Sequence, residues 1–258
     1  MELKEQNWKN LTTNLRDWHG VWTRYSPDGK VKESFRSLRS FQSNPEKTQI
    51  HQTNRYIYAE DNFKEESWDY NQQEHSLPDG VYHPQADSMR TICFESGHTA
   101  WASRKLQPHS MFGVELFFRH EELRHSVGIV YNQEGTLFRT ANIREDSRGF
   151  PSQFWSKEIE QVSQREFSED WQGTSVTIAP DLKVSQPSPI KFDWHYQGHQ
   201  TFFLPDGVSI SCPEKIIVGN SFILVANWLI TPSQLHQLKA RYDESGAFAG
   251  LTLEQFSR

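Results

Sequence analysis

The sequence predicts an all-β chain with short helices, folded as two antiparallel β-barrels in tandem. Three observations predict it. First, one series of landmarks occurs twice in the same order. Asp17-Trp18-His19-Gly20 returns as Asp170-Trp171-Gln172-Gly173, and Pro27-Asp28 with Lys30-Val31 returns at the same offset as Pro180-Asp181 with Lys183-Val184. Leu77-Pro78-Asp79-Gly80-Val81 returns as Leu204-Pro205-Asp206-Gly207-Val208, and each copy reaches a tryptophan, Trp101 or Trp228, at the same distance from its Leu. Arg119 and Gly128 pair in the same way with Arg241 and Gly250. The offset shrinks along the chain, so the second copy reads as a shortened one, and two units of this length are domains rather than solenoid repeats. Second, strand-length segments of alternating character follow one another between tight turns. Third, the chain holds 9 Trp, 8 Tyr and 17 Phe, a supply of large rings that suits small barrels with aromatic interiors.

The elements follow in order. Trp8, Leu11 and Leu15 fall on one helical stripe, which Asp17 to Gly20 ends. Strands are expected over 21–26, 31–43, 48–59, 63–73, 89–95, 99–106, 112–120, 123–131 and 136–144, with turns at Pro27-Asp28-Gly29 and Leu77-Pro78-Asp79-Gly80. Along 112–120, Val114, Leu116 and Phe118 face one side while Glu115, Phe117 and Arg119 face the other. The charged stretch 145–153, with Gly149 and Pro151, marks a boundary, giving domains of 1–150 and 151–258. Trp155, Ile159, Val162 and Phe167 then suggest a second leading helix. Strands are expected over 174–178, 190–196, 201–204, 216–218, 222–230, 235–242 and 248–256.

Bulk properties narrow the partners. The 258 residues carry a net charge of −6 with both signs scattered, so nucleic acid is not expected as a partner. The first residues have no apolar core and do not read as a secretory signal. No apolar stretch reaches the roughly 20 residues that span a bilayer, and 222–230 is interrupted by Asn227. Two cysteines, Cys93 and Cys212, one in each half, form no disulfide framework, and a cytoplasmic setting is the expectation. No cofactor or nucleotide motif is present. His195 and His199 stand too far apart on a strand to share an ion, and His120 and His125, which straddle a turn, lack further ligands, so no metal is expected. Nothing in the sequence specifies an oligomeric state.

Gly20-Val21-Trp22 on the first strand, after a short helix, resembles the G-x-W signature of lipocalins. The wider text (Ser26-Pro27-Asp28-Gly29, Phe203 to Gly207, Trp228-Leu229, Arg241-Tyr242-Asp243 and Gly250 to Leu253) resembles a lipocalin-like, or calycin, family of unknown function found mainly in cyanobacteria and photosynthetic eukaryotes. The resemblance covers nearly the whole chain. It implies a duplicated lipocalin-like barrel and no established activity. It also implies that Trp22 closes the barrel floor against an arginine from a late strand, Arg119 or Arg124. Ser175 stands where the second copy would carry Trp22, so the first barrel is the better candidate for a ligand site. The expected function is non-catalytic binding of a small hydrophobic molecule, fatty acid, retinoid or bilin in kind, in that barrel. Trp22, Tyr56, Tyr58, Trp68, Trp101, Phe117 and Arg119 are the expected lining, with Arg119 either stacked on an indole or clamping a ligand carboxylate. The rival readings are a lyase or isomerase of a bilin-like pigment, and an assembly protein whose barrels are filled by side chains.

Overall fold

The structure is a computed structural model that describes residues 2–13, 15–168 and 170–258. It is all-β, with two sheets and two short helices. Helix α1 (Leu3–Thr13) leads into β1 (Trp18–Tyr25), β2 (Val31–Ser43), β3 (Gln49–Ala59) and β4 (Asn62–Asn71). The four-residue α2 (Gln72–His75) precedes β5 (Ser76–Leu77), β6 (Gly80–His83), β7 (Ala86–Cys93), β8 (Thr99–Ser103), β9 (Phe112–His120), β10 (Leu123–Tyr131) and β11 (Leu137–Asp146). These strands form one eleven-stranded sheet in the order β4-β3-β2-β1-β11-β10-β9-β8-β7-β6-β5, antiparallel throughout. The sheet rolls into a nearly closed barrel. Its seam lies between β4 and β6, where the rings of Trp68 and His83 meet at 4.9 Å and α2 carries the chain across.

Helix α1 covers one end of this barrel. Trp8 packs with Ile50, Trp68, Tyr70 and Val81, and its indole N–H donates to the Lys47 carbonyl (2.7 Å). The amides of Asn7 and Asn10 take up backbone groups at the end of β7, with Asn7 Oδ1 accepting from Cys93 N–H (2.8 Å) and Asn10 Nδ2 donating to the Cys93 carbonyl (2.9 Å). Those groups lie beyond the reach of the short strand β6 and would otherwise be unpaired.

The second sheet comprises β12 (Gln172–Ile178), β13 (Ser188–Lys191), β14 (His199–Phe203), β15 (Val208–Pro213), β16 (Phe222–Thr231), β17 (Gln234–Tyr242) and β18 (Phe248–Ser257), in the order β13-β12-β18-β17-β16-β15-β14. Three expectations need correction here. The strand expected over 190–196 is β13, which ends at Lys191, and 192–196 lies outside any strand. The stretch 151–168 forms no helix. Its polar groups bond to the two sheets instead: the Ile159 carbonyl accepts from Tyr25 Oη (2.7 Å), Val162 N–H donates to the Phe203 carbonyl (2.9 Å), and Trp155 Nε1 donates to the Glu145 carbonyl (3.1 Å). Tertiary contact has overridden a helical stripe. The strand expected over 216–218 is a loop; the strand is β15, whose residues alternate Val208, Ile210 and Cys212 with two serines.

The outer face of β9 supplies the shared core. Phe112, Val114, Leu116 and Phe118 are buried against Ile210, Leu224, Ala226 and Trp228 of the second sheet. Glu115, Phe117 and Arg119 point the other way, into the barrel, as the alternation requires. Contacts across the two sheets are reciprocal. Tyr131 Oη donates to the Pro213 carbonyl (2.8 Å) and Tyr242 Oη to the Ser103 carbonyl (2.9 Å). Leu106 N–H donates to the Gly246 carbonyl (2.8 Å), and Ile216 N–H to that of Gly135 (2.8 Å).

Register aligns the two halves. Trp18 and Trp171 occupy corresponding places, as do Trp22 and Ser175. Trp101 and Trp228 do not. Trp101 lies on β8, whereas Trp228 lies on β16, which takes the place of β9, so its counterpart is Phe118. Arg119 and Arg241 likewise differ, because Arg241 is on β17, the counterpart of β10, and Gly250 is on β18, the counterpart of β11. The two Leu-Pro-Asp-Gly strings turn different hairpins: the first joins β5 to β6, the second β14 to β15. Tight reversals recruit the same few residues wherever they occur, so turn text repeats without common position.

Candidate functional site

The barrel encloses a cavity of about 320 Å³. Trp22 comes from β1, Tyr56 from β3, Trp68 from β4, Trp101 from β8, and Phe117 and Arg119 from β9; all six border it. Tyr58 does not. It has the inward parity of Tyr56, but it sits at the hairpin end of β3 beyond the rim, 44% exposed, with its ring on Phe35 (4.9 Å). The G-x-W expectation also needs correction. The indole that meets the late-strand arginines is Trp18, with the guanidiniums of Arg119 and Arg124 each 4.6 Å from its centroid. Trp22 is half-buried, forms cavity wall, and stacks with Arg39 of β2 (4.7 Å). Four strand positions, about 13 Å along β1, separate the tryptophans, enough to move one from the floor to the wall.

The floor holds a charge network absent from the sequence expectations. Arg39 Nη2 is 3.1 Å from Glu115 and Arg39 Nε 3.2 Å from Glu145. Arg124 Nη2 donates to Glu145 (2.9 Å), its Nε binds the other oxygen of that carboxylate, and Ser126 Oγ donates to Glu115 (2.8 Å). Burial opposes ionisation of Glu145, yet the adjacent guanidiniums of Arg124 and Arg39 outweigh it and hold its carboxyl below the usual range. Gly20 makes room for this. A Cβ there would stand 2.9 Å from both Glu145 Cγ and Ser37 Oγ. The glycine of the signature thus admits the carboxylate that ties β2, β11 and β10 together. Arg119 sits at the edge of this network. Burial, then the neighbouring charges of Arg16 and Arg124, lower its pKa to about 10, and its Nη1 is buried without a hydrogen-bond partner among the described residues.

A second feature lies on the β3–β4 wall. Trp68 Nε1 donates to Tyr70 Oη (2.9 Å), Tyr70 Oη to Gln52 Oε1 (3.3 Å), Gln52 Nε2 to Asn54 Oδ1 (3.0 Å) and Asn54 Nδ2 to Tyr56 Oη (3.2 Å). At the seam His83 lies between Trp68 (4.9 Å) and Trp101 (5.0 Å), and burial, then His75, pushes its pKa down to about 4. The alternation that pointed to Tyr56 and Phe117 also places Gln52, Asn54, Glu115 and Arg39 inward.

The second sheet builds the same corner with apolar residues in place of the ion pair, and Arg258 lies 4.8 Å over the Trp171 ring. Leu235 stands in the place of Arg124 and Phe256 in that of Glu145, and both pack on buried Trp171. Gly173 again leaves the room, since its Cβ would lie 2.6 Å from Phe256 Cδ1. His195 and His199 turn to separate rings, Trp194 and Tyr196, and no group of three potential metal ligands occurs among the described residues. Cys93 and Cys212 are buried, with thiol pKa values pushed up to about 12 by burial. No helix among the described residues is long and apolar enough to cross a membrane.

Comparison with known proteins follows from this geometry. No curated protein matches the sequence. A solved structure of a protein of unknown function from the DUF3598 family of Nostoc punctiforme is similar over 98% of this chain and 98% of its own, with a TM-score of 0.76 at 20% identity, which fixes the shared fold. An S-type phycobiliprotein lyase of Guillardia theta is similar over 57% of this chain and 93% of its own, at 12% identity and a TM-score of 0.36. Residues 186–257 match the model described as "Biogenesis factor required for ATP synthase 1, C-terminal domain". Residues 4–150, the whole first barrel and its leading helix, match "Domain of unknown function (DUF3598), N-terminal", and the chain belongs to that family.

Proposed function

We propose that the chain binds a small, largely apolar molecule inside its first barrel, without turning it over, and that residues 1–150 and 151–258 act as a binding domain and a supporting domain. One observation carries the reading: a cavity of about 320 Å³ bordered by four indoles, Phe117, Tyr56 and three guanidiniums. That size and mixed lining suit a ligand-binding pocket, in which rings hold the body of a ligand and a few polar groups orient it. A core grown only for stability would fill such a space, because each buried void forfeits packing energy.

Titration of the tryptophan emission with a fatty acid, a retinoid and a bilin tests the reading. Saturable quenching by at least one, weakened tenfold or more in Trp101→Ala, is expected. Absence of any saturable change would refute it. The likeness of residues 186–257 to a biogenesis-factor domain favours one second reading, an assembly role for the second sheet. Co-elution of the chain with ATP synthase subunits on size exclusion would support that role, and independent elution would remove it.

A further inference from the structure

The polar atoms of the cavity wall are asymmetric in kind. Those buried without a partner among the described residues are donors: Trp22 Nε1, Trp101 Nε1 and Arg119 Nη1. The floor acceptors are largely engaged: Arg124 takes both oxygens of Glu145, and Arg39 and Ser126 take Glu115 Oε1, which leaves Glu115 Oε2 as an acceptor without a partner among the described residues. The relay on the β3–β4 wall runs in one direction, with Gln52 Oε1 and Asn54 Oδ1 each accepting from the preceding member, and it ends on Tyr56 Oη. That hydroxyl accepts from Asn54 and therefore presents its own proton, beside Trp22, whose ring is 5.7 Å away. His83 follows the same rule. Its Nδ1 accepts from the Gln85 backbone N–H (3.0 Å), so the neutral ring carries its proton on Nε2.

We propose that the occupant of the first barrel is an anionic, acceptor-rich aromatic or conjugated molecule: a flat body with a carboxylate or sulfonate for Arg119 and further oxygens for the indole N–H groups of Trp22 and Trp101. The inference rests on the binding reading above and specifies its ligand class. A buried donor left unsatisfied is costly, so donors converging on one space select a ligand that brings acceptors. A half-buried guanidinium with an unpartnered Nη1 favours an oxyanion, because charge-assisted hydrogen bonds are about twice as strong as neutral ones. Cations would meet the guanidiniums of Arg39, Arg119 and Arg124 along the same lining. Plain hydrocarbons would leave the donors stranded.

Two fluorophores with one skeleton decide the matter. 1-Anilinonaphthalene-8-sulfonate carries the anion, and N-phenyl-1-naphthylamine lacks it. The sulfonate is expected to bind at least tenfold tighter. Trp101→Phe and Trp22→Phe, which keep an aromatic ring and delete the N–H, are expected to weaken the sulfonate several-fold and leave the neutral amine within twofold. Arg119→Gln is expected to remove the preference for the anion. Equal affinity for the two dyes, or equal loss of both in the variants, would overturn the acceptor-rich class while leaving a binding cavity in place. Failure of both dyes to bind saturably, together with the silent titration described above, would overturn the cavity reading itself.

Discussion

Replacing Glu145 by Gln isolates the charge network of the barrel floor. The side chain is fully buried, holds two oxygens toward Arg124 and lies 3.2 Å from Arg39 Nε. The substitution keeps the shape but removes the negative charge. Two buried guanidiniums then share the single carboxylate of Glu115. Breaking a buried pair by neutralising one partner destabilises by about 3–5 kcal/mol, chiefly because the other charge stays desolvated. For a chain of this size each kcal/mol lowers Tm by about 2–4 °C, so thermal unfolding at pH 7.5 is expected to drop by roughly 6–20 °C. The native carboxyl titrates below its unfolded value, so its contribution is present above pH ~4.5 and is lost as the pH falls through the folded value. The gap between native and variant chains should therefore narrow as the pH falls below about 4.5. A second variant, Arg124→Leu with Glu145→Phe, copies the apolar corner that Leu235 and Phe256 form around Trp171. It is expected to lose less than Glu145→Gln, because replacing both partners strands less charge. A change in Tm under 2 °C for Glu145→Gln at pH 7.5, or a gap that widens as the pH falls below about 4.5, would refute the reasoning.

Other outcomes follow from the same structure. Trp22→Ala removes half-buried cavity wall rather than floor, so denaturant unfolding is expected to show a loss below about 2 kcal/mol, less than the 3–5 typical of a buried Trp. Tyr131→Phe and Tyr242→Phe each delete one hydrogen bond to a carbonyl of the opposite half; each is expected to cost about 1–3 kcal/mol by urea unfolding, with the two losses equal within error. Buried His98, His125 and His236 have pKa values pushed down, by burial first, to about 3, 4 and 4. Their unfolded forms bind protons first, so Tm should fall as the pH drops from about 6.5 toward 4, and His236→Gln should flatten part of that slope.

The strands of the first sheet were largely legible in the sequence, because strict alternation and Gly- or Pro-bearing turns report local geometry directly. Trp18 and Trp171, and the Pro-Asp turns after them, also correspond as the text implied. Alignments resting on turn residues failed at Trp228 and Arg241, since turn chemistry reports curvature and not position. Within the cavity, parity found Trp22, Tyr56, Trp68, Trp101, Phe117 and Arg119. It could not show that Tyr58 passes the rim, which depends on where the β3–β4 hairpin ends. Arg39, Arg124, Glu115 and Glu145 were invisible as a group. Arg124 was expected at the floor only as a partner for Trp22, and only the closing of β2 against β10 and β11 joins the four, with contacts of 2.9–3.2 Å between the paired groups.

The reciprocal bonds between the halves carry a consequence of their own. Tyr131 reaches Pro213 while Tyr242 reaches Ser103, and Leu106 meets Gly246 while Ile216 meets Gly135. Such exchange is the signature of an isologous contact, the kind two identical subunits make about a twofold axis. Here a single chain contains both sides. The covalent link replaces a concentration-dependent encounter with an intramolecular one, so the contact persists at any dilution. It also frees the partners from being alike. A true dimer must place every substitution in both subunits, whereas this chain can keep arginines and glutamates under one barrel and set leucine and phenylalanine in the same places under the other. The pairing leaves each half free to change its floor without a matching change in the other.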